Sequence, residues 1–323
     1  EPDADERYLL ARLYERVGRF PEALAILDGL ASDEHLGPRA QRMARCMRRP
    51  GAQQLPRKRL PAFPTVAQLR NHCGPASCEL YMRFFGLEAD QVEIARQIKE
   101  ADGGTPTYKM RHYLMEAGFM TRRIEADLAV LKRLIDHGIP VIMEEEYSES
   151  LHVAIAVGYD DAREVLEVQD PMTHRIRDTP YEDLPKLRNL SNHGALIAVP
   201  RGHPQWMRAI DAVAVPECRY ISLVDDAWAA LDAGHEDAAD RMVAESQRLE
   251  PAYEMAWLYR WLRAAQAYRN DDDETKLAGL RELVDAAVAM WPDDEWPQQY
   301  LGRVMLMSGD LEGAERAFRT AAE

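Results

Sequence analysis

Residues 68–77 read QLRNHCGPAS and place Cys73 directly before a Gly-Pro pair. Proline suits the first turn of a helix, so the sequence predicts a helix with this cysteine at its N-terminus. Free amide groups and the helix dipole at that end lower the pKa of a thiol and favour the nucleophilic thiolate. The alternative is a small buried hydrophobe, the usual state of a free cysteine. Cys78 lies about 140° further round the helix and is expected to be such a buried cysteine, facing the core.

A thiolate nucleophile needs a base, and the base needs a group that orients it. Residues 151–171, LHVAIAVGYDDAREVLEVQDP, predict two strands joined by a turn. A hairpin centred on Asp161 would place His152 opposite Asp170 on one face, as a histidine–carboxylate pair. The pair could also be an ordinary strand histidine and a turn-forming aspartate. His72 competes as the base because it adjoins the cysteine, but neighbours in such a turn usually diverge.

The elements around these residues predict an α+β domain, because helix signals come first and strand signals follow. Helices are expected over 76–85, 92–98, 109–116 and 128–137, and strands over 140–143, 151–159, 164–168 and 195–199.

The middle of the chain resembles the C39-like peptidases, papain-fold cysteine peptidases related to the leader-cleaving domains of bacteriocin exporters. The resemblance rests on QLRNHCGPAS, Gly104-Thr-Pro106, Gly138-Ile-Pro-Val141, HVAIAVGYD at 152–160 and Asp170-Pro171. It implies a papain-like domain with N-terminal helices and a C-terminal antiparallel sheet, in a bacterial protein. It also implies that Cys73 is the nucleophile, His152 the base, Asp170 the orienting group and Gln68 the oxyanion donor.

Gln68 departs from the pattern of the papain-like enzymes. The glutamine usually precedes the cysteine by six residues, and here the gap is five. Asn71 could be recruited in its place, or Gln68 could be an ordinary loop amide.

Both ends of the chain predict helix pairs joined at Gly18, Gly234 and Gly309. Each glycine suits a sharp turn, and an alanine four or five residues later allows close helix packing. The spacing leaves room for one further pair between the last two turns. These units resemble tetratricopeptide (TPR) repeats, whose period is about 34 residues. Since the last unit stops inside its second helix, we expect the repeats to be truncated at the C-terminus.

These patterns divide the chain into four predicted segments. They are a TPR-like helical segment at 1–50, a basic linker at 51–60, a C39-like peptidase domain at 61–202 and TPR-like helical repeats at 203–323.

The net charge is −15, which argues against general nucleic-acid binding. The stretch from His35 to Cys78 nevertheless has no acidic residue and nine basic ones. They are Arg39, Arg42, Arg45, Arg48, Arg49, Arg57, Lys58, Arg59 and Arg70. The stretch is interpreted as a connector packed against acidic helices or, alternatively, as a dock for an acidic peptide or nucleic acid.

The four cysteines show no CxxC pair, so neither a disulfide scaffold nor a metal site is expected, and a reducing, cytoplasmic setting is predicted. No apolar run reaches the roughly 18 residues of a membrane helix. There is no GxxxxGK[ST] motif either, so the chain is not an exporter by itself. The triad chemistry requires no cofactor.

These features predict a cysteine peptidase that cleaves a peptide or protein through a thioester, with the repeats recruiting substrate or a partner protein. Two alternatives stay open: an amidase, deamidase or acyltransferase with the same triad, and a silent peptide-binding scaffold. Glu144–Glu146 and Glu149 are expected to form a solvated loop or to select a basic substrate side chain. Trp257, Trp261, Trp291 and Trp296 could line a peptide groove, although core packing is the simpler interpretation.

Overall fold

A computed structural model describes residues 3–100, 103–147, 150–173, 175–188, 193–270, 273–292 and 294–322. Both ends of the chain are helical, and the middle combines helices with an antiparallel sheet. This agrees with the predicted α+β class of the middle segment.

The elements are named here in chain order. The helices are α1 (Ala4–Arg16), α2 (Phe20–Gly29), α3 (Gly37–Arg48), α4 (Cys73–Phe84), α5 (Gln91–Ile98), α6 (Thr107–Glu116), α7 (Leu128–Asp136), α8 (Leu184–Leu187), α9 (Pro204–Val213), α10 (Arg219–Asp232), α11 (Glu236–Leu249), α12 (Glu254–Asn270), α13 (Glu274–Met290), α14 (Glu295–Met307) and α15 (Leu311–Ala322). The strands are β1 (Arg57–Arg59), β2 (Phe119–Glu125), β3 (Val141–Tyr147), β4 (Ser150–Asp160), β5 (Val165–Asp170), β6 (Arg175–Pro180) and β7 (Gly194–Pro200).

The sheet runs β2-β7-β3-β4-β5-β6, and β1 adds to the C-terminal part of β4. All of its pairings are antiparallel. The four strands that the sequence predicts are present. The sequence analysis missed β1, β2 and β6, because each is rich in charged side chains and lacks the apolar alternation of a typical strand.

Helix α4 is held against the sheet by its own apolar face and by one buried hydroxyl. Its Cys78 and Leu80 are fully buried, so the predicted core position of Cys78 is confirmed. The Tyr81 hydroxyl lies 2.8 Å from the carbonyl of Pro140 and accepts the N–H of Ala198 at 3.0 Å. These contacts fix the helix that begins at Cys73 relative to β3 and β7.

The apolar core of the middle segment reaches beyond the predicted segment limits. Ile210 and Val213 of α9, and Val215 after it, belong to the same core as the sheet. At the other limit, β1 lies within the stretch predicted as a basic linker and pairs with Gly158–Asp160. The domain boundaries themselves remain a prediction.

The helical ends contain the predicted turns. Gly18, Gly234 and Gly309 all have left-handed backbones, with φ of +79°, +78° and +78°. An alanine five residues after each glycine is buried: Ala23, Ala239 and Ala314. Two helices, α12 and α13, occupy the predicted space between the last two turns. The identity of these units as TPR repeats remains a prediction.

The tryptophans of the C-terminal helices pack in the core of that region. Trp257 and Trp261 are buried, and Trp291 and Trp296 pack against the same apolar cluster. Core packing, the simpler of the two interpretations, is therefore confirmed. None of the described helices combines the length and the apolar character needed to cross a membrane.

One buried cation joins the C-terminal helices to the sheet. Arg123 of β2 is 2% exposed, pairing with Glu144 of β3 at 2.8 Å and with Asp225 of α10 at 2.9 Å. Since a buried charge is costly without a partner, these two ion pairs favour one placement of α10 against the sheet.

Candidate active site

Cys73 is the first residue of α4 and is partly buried. Pro75 lies in the first helical turn, where its missing N–H costs no hydrogen bond. Gly74 follows the cysteine where space is short, because a Cβ built there would lie 2.6 Å from the Cβ of Thr105. The Gly-Pro pair therefore starts the helix and lets residues 104–106 approach the cysteine closely.

His152 and Asp170 form a buried pair beside the cysteine. His152 is 4% exposed and Asp170 is 1% exposed. Nε2 of His152 lies 3.0 Å from Oδ1 of Asp170. The thiol of Cys73 is hydrogen-bonded to the His152 side chain. Since Nε2 is turned to the carboxylate, Nδ1 is the ring nitrogen available to the sulfur.

The hairpin that carries this pair does not have the predicted register. A hairpin centred on Asp161 places His152 opposite Asp170, whereas in the structure Ile155 pairs with Gln169 and His152 pairs with Glu145 of β3. Next to the turn, Asp160 pairs with Val165, which is a shift of three residues from the predicted pairing. A bulge in β4 between Ala156 and Gly158 places one extra residue in that strand and reduces the shift by one. The net shift is two residues, an even number, so His152 and Asp170 remain on one face as diagonal neighbours.

The thiol and the imidazole shift each other's pKa in opposite directions. Burial raises the pKa of Cys73, but the hydrogen bonds from His152 and from the backbone N–H groups of Val153 and Gly74 outweigh it, so the pKa lies below its ordinary value. Burial lowers the pKa of His152, but its bonds to Asp170 and Cys73 raise it to about 9. Both shifts favour the thiolate–imidazolium form of the pair over the neutral form.

Asp170 has partners besides His152. Its Oδ1 accepts the N–H of Met172 at 2.9 Å, and its Oδ2 accepts Nε of Arg177 at 3.1 Å. Burial raises the pKa of Asp170, but His152, Met172 and Arg177 together hold it below the ordinary value. The carboxylate is therefore ionised and fixed in orientation.

Arg177 connects this carboxylate to a second one. Its Nη2 donates to Glu145, which is fully buried in β3 opposite His152. Sequence reasoning missed Arg177, and it did not place Glu145 in a strand opposite His152. The alternation of β3 and β4 was the available signal, since a residue facing His152 across the hairpin had to be one of the three glutamates.

The glutamates before His152 do not form a solvated loop. Glu144 and Glu145 are buried in β3 and bind Arg123 and Arg177. That prediction is therefore wrong for these two, because both side chains find arginine partners inside the fold. Glu146 is half-buried, and Glu149 lies outside the described residues.

Gln68 lies on the loop before α4, against the end of β5. Its backbone N–H donates to the carbonyl of Pro171 at 2.9 Å, next to Asp170. Its side chain is partly buried, and Oε1 has no hydrogen-bond partner within the described part of the chain. Asn71, the predicted substitute, is exposed and has a left-handed backbone.

A buried amide that sequence reasoning missed holds the two peptide groups around Gln68. Nε2 of Gln91 donates to the carbonyl of Ala67 at 2.9 Å, and Oε1 accepts the N–H of Leu69 at 2.9 Å. The N–H of Gln91 in turn donates to Glu79 of α4 at 3.0 Å. The loop is thus anchored to the helix that carries the cysteine.

His72 does not take the place of His152. Its Nδ1 lies 2.7 Å from the carbonyl of Arg70, in a contact at the protein surface. The structure brings Cys73 together with His152 and Asp170, and it places the backbone of Gln68 beside Asp170.

Comparison with protein families gives one match. Residues 60–189 match the model of the Peptidase_C39 like family. The matched segment includes Gln68, Cys73, His152 and Asp170. The middle of the chain therefore carries a domain similar to the C39-like peptidases. A comparison with curated proteins gave no match.

Several solved structures are similar to the same part of the chain. The peptidase domain of Streptococcus ComA, a bifunctional ABC transporter of a quorum-sensing pathway, is 20% identical, with a TM-score of 0.39 over 43% of this chain and 99% of that one. A double glycine motif protease from an AMS/PCAT transporter, solved with a leader peptide, is 15% identical, with a TM-score of 0.37 over 44% and 94%. The peptidase domain of Streptococcus mutans ComA is 18% identical, with a TM-score of 0.32 over 42% and 98%.

Proposed function

We propose that this chain is a cysteine peptidase that cleaves a peptide or protein substrate, with Cys73 as nucleophile, His152 as base and Asp170 as the group that orients the base. The observation that carries the proposal is the buried contact chain from the Cys73 thiol through His152 to Asp170. The match of residues 60–189 to a peptidase family supports it.

In the resting state the proton of the thiol lies on His152. The lowered pKa of Cys73 and the raised pKa of His152, about 9, favour this ion pair at neutral pH. The thiolate is the nucleophilic form of cysteine, so no separate deprotonation step precedes attack. Asp170 holds the imidazole ring by its Nε2, which keeps Nδ1 directed at the sulfur.

The reaction then proceeds in two halves. The Cys73 thiolate attacks the scissile carbonyl and forms a C–S bond, and the carbonyl oxygen becomes an oxyanion. Collapse of this intermediate breaks the C–N bond, and His152 gives its proton to the leaving amine. The now neutral His152 takes a proton from water, whose oxygen attacks the thioester. The carboxylic acid product leaves, and the thiolate–imidazolium pair is restored.

Gln68 is proposed as a donor to the oxyanion, together with the backbone N–H of Cys73. Its backbone is fixed at Pro171 and, through Gln91, at both neighbouring peptide groups. Such anchoring supports the role, because an oxyanion donor acts best when it needs no rearrangement during the reaction.

The helical repeats are proposed to recruit the substrate or a partner protein. The Arg123–Asp225 ion pair joins the sheet to α10, the first helix of the C-terminal repeats. A peptide held on those helices would therefore enter the peptidase domain from a fixed direction.

The proposal is tested with a peptide library digested by the wild-type chain and by Cys73→Ala, with cleavage products identified by mass spectrometry. We expect products from the wild type alone. Cys78→Ala is the matched control, because it removes another thiol from the same helix. The Cys78 thiol is buried, and burial raises its pKa. Products common to the wild type and Cys73→Ala would overturn the proposal.

Alkylation by iodoacetamide at pH 6 tests the ion pair without a substrate. We expect Cys73 to react far faster than Cys46 and Cys218, because burial raises the pKa of both of those thiols. The His152→Ala variant should lose this selectivity. An unreactive Cys73 in the wild type would favour the silent scaffold instead.

A further inference from the structure

A large cavity lies away from the proposed active site. It has a volume of about 1220 Å³ and lies between α1–α3 and the strands β1, β4, β5 and β6. Cys73, His152 and Asp170 do not line it. Cavities of roughly 300–1000 Å³ hold a drug-sized ligand, so this space is large enough for a peptide segment.

One carboxylate inside this cavity serves three arginines. Asp178 of β6 pairs with Arg12 at 2.8 Å, more distantly with Arg16 at 3.9 Å, and closely with Arg163. Burial raises the pKa of Asp178, but the surrounding arginines hold it below its ordinary value. Arg163 also pairs with Glu15 of α1 at 3.4 Å. The cavity lining as a whole contains eight cationic side chains and five carboxylates, so it has a positive excess.

Three further cations of the cavity wall lack an acidic partner. Arg39 of α3 and Arg57 and Lys58 of β1 are exposed, and no carboxylate of the described residues lies within 4 Å of them. By contrast, Arg59 beside them is paired with Glu167.

These positions settle part of the ambiguity of the acid-free stretch. Five of its nine cations bind acidic residues of the folded protein and so behave as a connector: Arg42, Arg45, Arg48, Arg49 and Arg59. Of the other four, Arg39, Arg57 and Lys58 line one cavity, and Arg70 lies on the loop before α4.

The lining of the cavity is also partly apolar. Phe20 of α2, Met43 and Met47 of α3 and Leu55 contribute side chains there. A cavity lined by both cationic and apolar side chains suits a ligand that carries both carboxylates and apolar side chains, as an acidic peptide does. Methionines add tolerance, since their flexible side chains adapt to different apolar groups.

We infer that this cavity binds an acidic peptide segment, held by Arg39, Arg57 and Lys58 and by the apolar side chains of α2 and α3. The whole protein carries a net charge of −15, which repels anions at long range. The cavity is thus a local exception where an anionic segment is favoured. The site is separate from the triad, so binding does not depend on Cys73 chemistry.

The probe for this site is a fluorescein-labelled peptide of about eight residues that alternates Glu and Leu, followed by fluorescence anisotropy. Its control is the same peptide with Gln in place of Glu. The full-length chain is used as the wild type and as Cys73→Ala, so that cleavage of the probe cannot imitate or mask binding. A failure of the peptidase proposal would leave this result unchanged.

The site variant is Arg39→Glu/Arg57→Glu/Lys58→Glu, and the matched control is Arg208→Glu/Arg241→Glu/Arg316→Glu. All six residues are exposed, and the three control positions do not line the cavity. Both variants change the net charge equally, so long-range repulsion is the same in each. Circular dichroism confirms that each variant is folded.

We expect the site variant to bind the acidic peptide about ten-fold more weakly than the control variant, with wild-type affinity falling as salt rises. The Gln peptide should bind more weakly than the Glu peptide. Equal affinities of the two variants, or of the two peptides, would overturn the inference. A single-stranded 12-mer DNA that binds more tightly than the peptide would overturn the peptide assignment as well.

Discussion

Arg177 donates its Nε–H to Oδ2 of Asp170 at 3.1 Å, so the carboxylate that holds His152 is itself held by a cation. Arg177 also binds the buried Glu145, which lies opposite His152 in the sheet. One guanidinium therefore connects the carboxylate that holds His152 to the one that lies opposite it in the sheet.

Arg177→Gln should lower both stability and activity. Asp170 loses a group that lowers its pKa, so its pKa rises and it stabilises the His152 imidazolium less well at low pH. The Cys73 thiolate then takes up its proton at higher pH, which moves the acidic limb of the pH–activity profile to higher pH. Glu145 is left buried without this partner, which costs roughly 3 kcal/mol of unfolding free energy. Urea unfolding and the pH dependence of kcat/KM measure the two effects.

Adding Glu145→Gln should restore most of the stability of Arg177→Gln but not its acidic limb, since the change at Asp170 persists. Arg175→Gln on the same strand is the matched control, because Arg175 is exposed. An unshifted acidic limb in Arg177→Gln would contradict this account.

The pH profile of the wild type should be bell-shaped. Activity is lost as the pH falls through the lowered pKa of Cys73, because the thiolate becomes protonated. It is lost again as the pH rises through about 9, because His152 gives up the proton that the leaving amine requires. Asp170→Asn removes a group that raises the pKa of His152, so the alkaline limb should move below 9. An alkaline limb that stays in place would exclude His152 as the titrating group.

Gln91→Ala should reduce kcat by about ten-fold and leave KM nearly unchanged. The variant frees the carbonyl of Ala67 and the N–H of Leu69, so Gln68 between them is no longer fixed near the proposed oxyanion. The loss of two hydrogen bonds should also cost roughly 1–3 kcal/mol of unfolding free energy.

The control for this variant is Gln97→Ala, an exposed position on the same helix. Alkylation of Cys73 at pH 6 should be normal in Gln91→Ala, since the ion pair with His152 is intact. Slow alkylation would mean that Gln91 acts on the whole fold instead of on the loop of Gln68.

Gly74→Ala should strongly reduce activity and stability. The new Cβ would lie 2.6 Å from the Cβ of Thr105 and 3.2 Å from Sδ of Met110, so Cys73 or the loop at Thr105 must move. Gly279→Ala is the opposite case, because nothing lies within 4 Å of its Cβ in α13. That variant should be more stable by about 1 kcal/mol, the usual difference between glycine and alanine in a helix. Thermal melts that rank the two variants in reverse order would refute the packing argument.

Arg123→Met should destabilise the protein by about 3–5 kcal/mol at pH 8, because Glu144 and Asp225 are left buried without their cation. Burial raises the pKa of Asp225 to about 6 even with Arg123 beside it. Without Arg123 this pKa rises further, so the defect should shrink as the pH falls and the carboxyl group is protonated. A defect independent of pH between 5 and 8 would contradict an electrostatic origin.

The amino-acid sequence determined the local structure around the nucleophile and the ends of several elements. Gly74-Pro75 specify a helix start because proline and glycine restrict where a helix can begin. Gly86, Gly118 and Gly138, all with positive φ, end helices in the same local way. The alternation of the two predicted strands placed His152 and Asp170 on one face of the sheet. This placement remains correct despite a two-residue error in register, because side chains return to the same face every two residues.

Tertiary structure alone decided the elements whose charges are neutralised at a distance. Strands β2 and β6 contain arginines that a local pattern assigns to the surface, yet Arg123 and Arg177 find carboxylates on neighbouring strands and helices. Residues far apart in the chain also determine three other features. These are the bulge in β4, the hydrogen bonds from Gln91 to the peptide groups on either side of Gln68, and the cavity at Arg39. A sequence shows propensity and periodicity, whereas partners across the sheet are fixed only when the whole core is packed.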